Sequence, residues 1–105
     1  MEHRRSARAR LRQHITLEVP RVGTVATKAC DMSLGGVFVE TNSFVLPGNA
    51  RVVISFKLPH SKRKNPFRVD AMVVRRAPSG AGLMFLHMET DVIRALSSAL
   101  SQYGG

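Results

Sequence analysis

The sequence predicts an all-β domain that ends in one short helix. Six stretches alternate apolar and polar residues or are rich in β-branched residues, the pattern of strands with one buried face. Turn signals containing glycine or proline separate them at short intervals, which is typical of a β-sandwich or a small closed barrel. Only the last segment has the four-residue spacing of a helix. With 105 residues, the chain has the size of a single domain.

The strands are predicted at 15–19, 24–29, 37–41, 51–58, 67–75 and 82–87. Pro20 ends the first strand, residues 31–36 separate the second from the third, and Pro47-Gly48 marks the next turn. The fourth and fifth strands have the clearest two-residue period, with apolar side chains on one face: Val52, Ile54, Phe56 and Leu58, then Phe67, Val69, Ala71 and Val73.

The C-terminal segment predicts an amphipathic helix at about 89–102. Val92, Leu96 and Leu100 are four residues apart and form one apolar stripe. Thr90 is the expected N-cap, and Asp91 lies in the first turn, where the helix dipole favours an anion. The helix is expected to pack against the β-domain or to cover one of its ends.

Composition limits the functional classes. Lysine and arginine number 16 against 7 aspartate and glutamate residues, a net charge of +9, so an anionic partner is expected. A single cysteine excludes an internal disulfide framework and favours a cytoplasmic setting. No stretch reaches the roughly 20 apolar residues of a membrane helix, so no membrane insertion is expected. Catalytic triads, paired carboxylates, phosphate-binding loops and metal-ligand spacings are not found, so the chain is predicted to be neither an enzyme nor a holder of a metal or cofactor.

Five of the 16 basic residues lie within residues 3–12, and Arg4, Arg5 and Arg8 are the candidates for ligand binding. Arginine makes bidentate contacts with phosphate or with guanine, and its flat guanidinium group stacks on bases. The alternative is a disordered basic arm that binds polyanions without specificity, and composition alone favours that alternative.

A second candidate is the motif Asp-x-Ser-x-x-Gly formed by Asp31, Ser33 and Gly36, with Gly35 beside it. A carboxylate only accepts hydrogen bonds, so Asp31 suits the N1–H and N2–H₂ edge of guanine, and the serine hydroxyl donates or accepts. The two glycines are expected to adopt backbone angles closed to other residues and to let a ligand approach. The alternative is an Asx-turn, in which Asp31 binds the loop's own N–H groups, and it is favoured for this motif alone.

Together the two motifs are more specific. An Arg-x-x-x-Arg segment, a strand pair and Asp-x-Ser-x-x-Gly resemble the PilZ domain family of bacterial receptors for cyclic diguanylate. Gly82-Leu83-Met84-Phe85 resembles the Gly-x-x-Phe stretch of the family's late strand. The resemblance implies a six-stranded antiparallel barrel with a terminal helix for residues 15–105, and a flexible Arg-rich arm for residues 1–14.

The resemblance also implies a mechanism. The motif arginines would contact a phosphate or stack on a guanine, Asp31 and Ser33 would contact one guanine edge, and the glycines would allow close approach. The arm would close over cyclic diguanylate and relay the signal to an unknown effector in motility, biofilm formation or exopolysaccharide synthesis. No cofactor other than this ligand is implied.

Two alternatives stay open: a small basic nucleic-acid-binding barrel, and a PilZ-like protein-interaction module without a ligand. The scarcity of aromatic residues, five phenylalanines and one tyrosine, disfavours the first. The presence of both motifs disfavours the second. Lys62-Arg63-Lys64 is predicted to be a solvated hairpin tip, and Met72, Met84 and Met88 are predicted to fill the core.

Overall fold

The computed structural model describes residues 13–41, 46–58 and 61–103. In this part of the chain, six strands form a closed antiparallel barrel in the order β1-β2-β3-β6-β5-β4, followed by one helix. The elements are β1 (Gln13–Val19), β2 (Gly23–Met32), β3 (Gly36–Glu40), β4 (Arg51–Phe56), β5 (Phe67–Ala77), β6 (Gly80–His87) and α1 (Thr90–Tyr103). The predicted six-stranded antiparallel barrel with a C-terminal helix is confirmed.

Alternating side chains fill the barrel interior. The apolar residues predicted to share one face of β4 and of β5 are all buried. The barrel closes where β1 pairs with β4, with Leu17 opposite Ile54, and both side chains are fully buried. Because the sheet closes on itself, none of the six strands is left as a free edge.

β5 and β6 extend closer to their shared turn than the sequence predicts. Arg76 pairs with Ala81 and Ala77 pairs with Gly80, so cross-strand hydrogen bonding continues past the end predicted from periodicity. The register between β5 and β6 shifts twice: Leu86 is an additional residue on β6, and Val74 is an additional residue on β5. The bulge at Val74 interrupts the two-residue alternation of β5, which hides the end of the strand from pattern analysis.

The turn between β1 and β2 holds an arginine in a left-handed conformation. The Val22 N–H donates to the Val19 carbonyl over 3.0 Å, and Pro20 occupies the second turn position. Arg21, in the third position, has φ of 66°. This is a type II turn, which ordinarily takes glycine or asparagine there. A side chain in this conformation costs about 1 kcal/mol.

The antiparallel connections divide the loops between two ends of the barrel. One end, here called the arm end, carries the start of β1, the β2–β3 loop, the β4–β5 connection and the start of α1. The opposite end, here called the turn end, carries the β1–β2 turn, the β3–β4 connection and the β5–β6 turn.

The helix packs on its own barrel. Its buried residues belong to the same hydrophobic cluster as the barrel interior: Val92, Leu96, Ala99 and Leu100. The Glu89 carbonyl accepts hydrogen bonds from the N–H groups of Val92 and Ile93. Glu89 therefore takes the cap position expected for Thr90, which becomes the first residue of α1.

We expect Leu96→Ala to lower the free energy of unfolding by about 2–5 kcal/mol, because the Leu96 side chain is fully buried and its removal leaves a cavity. Ile93→Ala is the matched control on the same helix, since Ile93 is 41% exposed, and should cost less than about 1 kcal/mol. Urea denaturation followed by circular dichroism measures both. Equal effects would show that α1 is not anchored through its apolar stripe.

Candidate ligand-binding site

A β-bulge at Cys30 places Asp31 on the outer wall of the barrel. Ala29 pairs with Val39 and Asp31 pairs with Phe38, so Cys30 is the additional residue. Without the bulge, Asp31 would share the inward face of Ala29. With it, Met32 turns into the core, where it is fully buried, and Asp31 is half-buried on the outside. β2 thus extends through Met32, and Asp31 belongs to the strand and not to the predicted turn.

Ser33 organises the loop that follows. Its backbone N–H donates to the Gly36 carbonyl over 2.9 Å, which closes a hairpin around Leu34 and Gly35. Its hydroxyl oxygen accepts a hydrogen bond from the Gly35 N–H at 3.2 Å. The Gly35 carbonyl in turn accepts from the Phe85 N–H at 3.0 Å, which fixes the loop to β6. Ser33 therefore stabilises the loop's own backbone, and its O–H group can still donate a hydrogen bond.

The glycines of the motif serve different purposes from those expected. Neither Gly35 nor Gly36 has a positive φ, so the expected left-handed backbone is wrong for both. At Gly36, a Cβ atom would overlap the carbonyl oxygen of Leu83, because β6 runs directly against this position. At Gly35, the nearest atom to a Cβ would be the Ser33 hydroxyl at 3.9 Å. Gly36 is thus required by strand packing, whereas Gly35 leaves open space at the loop tip.

Arg4, Arg5 and Arg8 lie outside the described residues, but the point where their segment joins the barrel is defined. β1 begins at Gln13, which pairs with Ala29 of β2, two residues before Asp31. The Gln13 side-chain amide donates to the Lys57 carbonyl of the β4–β5 connection. The Arg-rich segment therefore joins the barrel at the arm end, beside the loop that carries Asp31 and Ser33.

The basic cluster at residues 62–64 is also at the arm end, and it is not simply a solvated tip. The Arg63 guanidinium lies 3.3 Å from the Asp91 carboxylate, in the first turn of α1. The same group lies over the Phe67 ring, 4.3 Å from its centroid. Arg63 thus ties the β4–β5 connection to the helix, while Lys62 and Lys64 are exposed.

Two outer-wall residues escaped the sequence analysis. Phe38, directly opposite Asp31, is half-buried on the outer wall, and its ring covers Gly80. The cross-strand row continues from Phe38 to Gly82 and ends at the exposed Arg75. Arg75 is three strand spacings from Asp31, about 14 Å along the wall. Strict alternation along β3 between the buried Val37 and Val39 was the signal that places Phe38 outside.

Other predicted roles are also settled by the structure. Met84 is 43% exposed on the outer face of β6, so it does not fill the core. Met88 packs against the core from its edge. The Cys30 thiol lies 3.6 Å from a carboxylate oxygen of Glu40, in a half-buried position.

In the described ranges, no group of three histidine, cysteine, aspartate or glutamate side chains is placed to hold a metal ion. No helix among the described residues is long and apolar enough to cross a membrane.

The comparison with known families agrees with this geometry. A family model of the PilZ domain matches residues 2–102, nearly the whole chain. The chain belongs to the PilZ domain family. PilZ domains are receptor and adaptor domains, and the family binds cyclic diguanylate. No curated protein matches the chain.

Solved structures share the barrel of this PilZ domain. The Bacillus subtilis inhibitor of motility, MotI/DgrA, has a TM-score of 0.80 at 15% identity, over 97% of this chain and 51% of that chain. The chain thus spans about half the length of MotI/DgrA. The PilZ domain of CeSA from a cellulose-synthesizing bacterium has a TM-score of 0.68 at 14% identity, over 90% of this chain and 95% of that one. At these identities the similarity establishes the fold.

We expect Gly36→Ala to lower the free energy of unfolding of the PilZ domain by about 2 kcal/mol or more, because the new methyl group meets the backbone of β6 and not a flexible side chain. Gly35→Ala, one residue away in open space, should change it by less than about 0.5 kcal/mol. Thermal and urea denaturation measure the pair. A Gly36→Ala protein as stable as Gly35→Ala would contradict the close contact of β3 and β6.

Proposed function

We propose that this PilZ domain is a receptor for cyclic diguanylate. The ligand is held between the Arg-rich segment, with Arg4, Arg5 and Arg8, and the end of β2 and the loop after it, with Asp31 and Ser33. Gly35 leaves open space at the loop tip beside the ligand, and Gly36 allows β3 to pack against β6. The domain senses the dinucleotide and does not transform it.

The observation that carries this proposal is the pairing of Gln13 with Ala29. It joins the Arg-rich segment to the barrel next to Asp31, although the two motifs are more than 20 residues apart in the sequence. Arg8 lies five positions before Gln13, which allows a reach of about 17 Å, and Arg4 lies nine positions before it, which allows about 30 Å. Both arginines can therefore meet a ligand that touches Asp31.

The chemistry of the loop suits a guanine. The Asp31 carboxylate accepts hydrogen bonds from N1–H and N2–H₂ of guanine, and a charged acceptor makes such bonds strong. Adenine offers an acceptor at N1 and no amino group at C2, so the same carboxylate discriminates against it. The Ser33 hydroxyl already accepts from the Gly35 N–H, so it contributes as a donor.

The charge at the arm end suits two phosphates. The Arg-rich segment is attached, through Gln13, to the end of the barrel that carries Lys62 and Lys64, and both lysines are exposed. Along the outer wall, Arg75 provides a further cation in the cross-strand row of Asp31. Arginine contributes bidentate contacts and stacking, whereas lysine adds positive potential. The ligand thus orders the arm over the barrel, and the contacts to its charged groups offset the cost of ordering.

The closed arm presents a new surface to a downstream protein. Through it the domain acts on motility, biofilm formation or exopolysaccharide synthesis. The ligand shifts the population between open and closed arms, so the effector must bind one state more tightly than the other.

We expect the wild-type domain to bind cyclic diguanylate in isothermal titration calorimetry, and Arg8→Ala and Asp31→Asn each to weaken binding by about 10-fold to 100-fold, the loss of one or two charge-assisted hydrogen bonds. Arg12→Ala and Asp70→Asn are the matched controls, because they remove the same groups outside the motifs. Cyclic di-AMP should bind weakly or not at all.

Equal losses in the motif variants and in their controls, with a steep dependence on salt, would point instead to non-specific polyanion binding. Absence of binding by the wild-type domain would contradict the receptor proposal. It would leave the domain as a protein-interaction module without this ligand.

We also expect cyclic diguanylate to stay intact during prolonged incubation with the domain, since the proposed site uses its side chains for binding alone. Anion-exchange chromatography of the recovered nucleotide measures this. A boiled sample of the domain serves as the control. Linear dinucleotide or GMP that accumulates only with the folded domain would show catalysis.

A further inference from the structure

The turn end of the barrel carries exposed arginines with no acidic partner. Arg21, Arg51 and Arg76 are exposed, and none of them forms an ion pair within the described part of the chain. By contrast, the exposed Arg63 and Arg68 are paired with Asp91 and Glu18. Arg75 on the outer wall and Arg94 on α1 are exposed without an ion pair in the described ranges as well, so it is the grouping of three such arginines that distinguishes the turn end.

These arginines follow one another along the rim. Arg51 lines a surface depression together with Pro20 and Gly23, which lie close to Arg21 in the β1–β2 turn. Glu18 and Asp70 also line this depression, but neither forms an ion pair with Arg51. On its other side, the β3–β4 connection leads to Arg76, whose Nε atom would lie 3.9 Å from a Cβ atom at Gly48. The β1–β2 turn, the start of β4 and the end of β5 thus form one continuous rim.

Two exposed valines lie on the same rim. Val22 is 57% exposed and Val74 is 54% exposed, the highest fractions among the large apolar residues of the described chain. Val22 follows Arg21 in the β1–β2 turn, and Val74 is the additional residue of the bulge between Val73 and Arg75. Val74 follows the buried Val73 and therefore lies on the outward face of β5.

The conformation of Arg21 is an independent observation. With φ of 66°, it occupies a position that glycine or asparagine would fill without strain. Strained residues cluster at functional sites, where the side chain serves a purpose other than stability. The strain therefore favours a function for the Arg21 side chain itself.

We propose that this rim, formed by Arg21, Val22, Arg51, Val74 and Arg76, is the docking surface for an acidic protein partner. This docking surface extends the proposed function. It depends on that function only for the identification of the partner as the downstream effector. Arginines beside exposed apolar side chains are typical of the central contacts in protein interfaces. The rim arginines, which form no ion pair among the described residues, would then pair with aspartate and glutamate side chains of the partner.

The composition of the rim favours a protein over a nucleic acid. Single-stranded nucleic acids are bound by aromatic side chains that stack on bases. None of the rim residues is aromatic, and the described phenylalanines lie inside the barrel or on the wall of β3. The exposed valines can pack against apolar side chains of a protein partner. They have neither a charge nor a hydrogen-bond donor with which to contact a phosphate backbone.

A test uses the full chain and a random copolymer of glutamate and tyrosine as a defined acidic and apolar probe. In ¹⁵N-resolved NMR spectra near physiological salt, the copolymer should shift amide signals at 20–24, 48–52 and 73–78. Arg51→Gln/Arg76→Gln should weaken binding by about 10-fold. The matched control, Lys62→Gln/Lys64→Gln, removes the same charge from the arm end and should weaken it by less than about 3-fold. Arg21→Gly should weaken binding without lowering the melting temperature.

The remaining outcomes contradict either the binding surface or the class of partner. Equal losses in the two double variants, or shifts centred on 61–64, would show that net charge and not the rim binds the probe. Tighter binding of short duplex DNA at the rim would replace a protein by a nucleic-acid partner. Cyclic diguanylate titrations distinguish the two proposals: the Arg51→Gln/Arg76→Gln domain should bind the ligand as the wild type does. A wild-type domain that fails to bind it, with rim shifts intact, would refute the receptor and not the docking surface.

Discussion

Closure of the barrel between β1 and β4 is the constraint on which the other features depend. Leu17 opposite Ile54 joins the two ends of the sheet, so every strand has a neighbour on both sides and one apolar interior is enclosed. Closure also fixes the start of β1 beside the end of β2 and beside the β4–β5 connection. The point where the Arg-rich segment is attached, the end of β2 with Asp31, and the β4–β5 connection are therefore brought together by the same pairing that completes the core.

The bulge at Cys30 reconciles this core with a charged side chain. β2 must supply Ala29 and Met32 to the interior, and both are fully buried. A regular strand places residues 29 and 31 on one face, which would put a carboxylate inside a barrel whose described interior contains no polar side chain. The additional residue removes the conflict. It leaves Asp31 on the outer wall, where Asp31 and its neighbour Met32 are both paired with residues of β3.

The sequence predicted what periodicity and local chemistry control. Two-residue alternation placed β4 and β5 and their buried faces, and four-residue spacing placed α1. It did not predict the bulges, because one additional residue appears only when the partner strand is known. For the same reason, Gly36 was assigned to ligand access, whereas its lack of a side chain accommodates Leu83 of β6. The ion pair of Arg63 with Asp91 joins residues 28 apart and has no local signature.

The two ends of the barrel can act on a partner without any deformation of the barrel itself. A closed sheet around an apolar, close-packed interior resists small shifts, so ligand binding at the arm end should leave the geometry of the turn end unchanged. By linkage, a partner that touches only the rim would then bind with the same affinity in both ligand states. Regulation therefore requires a partner that touches the rim and the closed arm together. The rim would hold the partner, and the ligand-ordered arm would add the contacts that distinguish the two states.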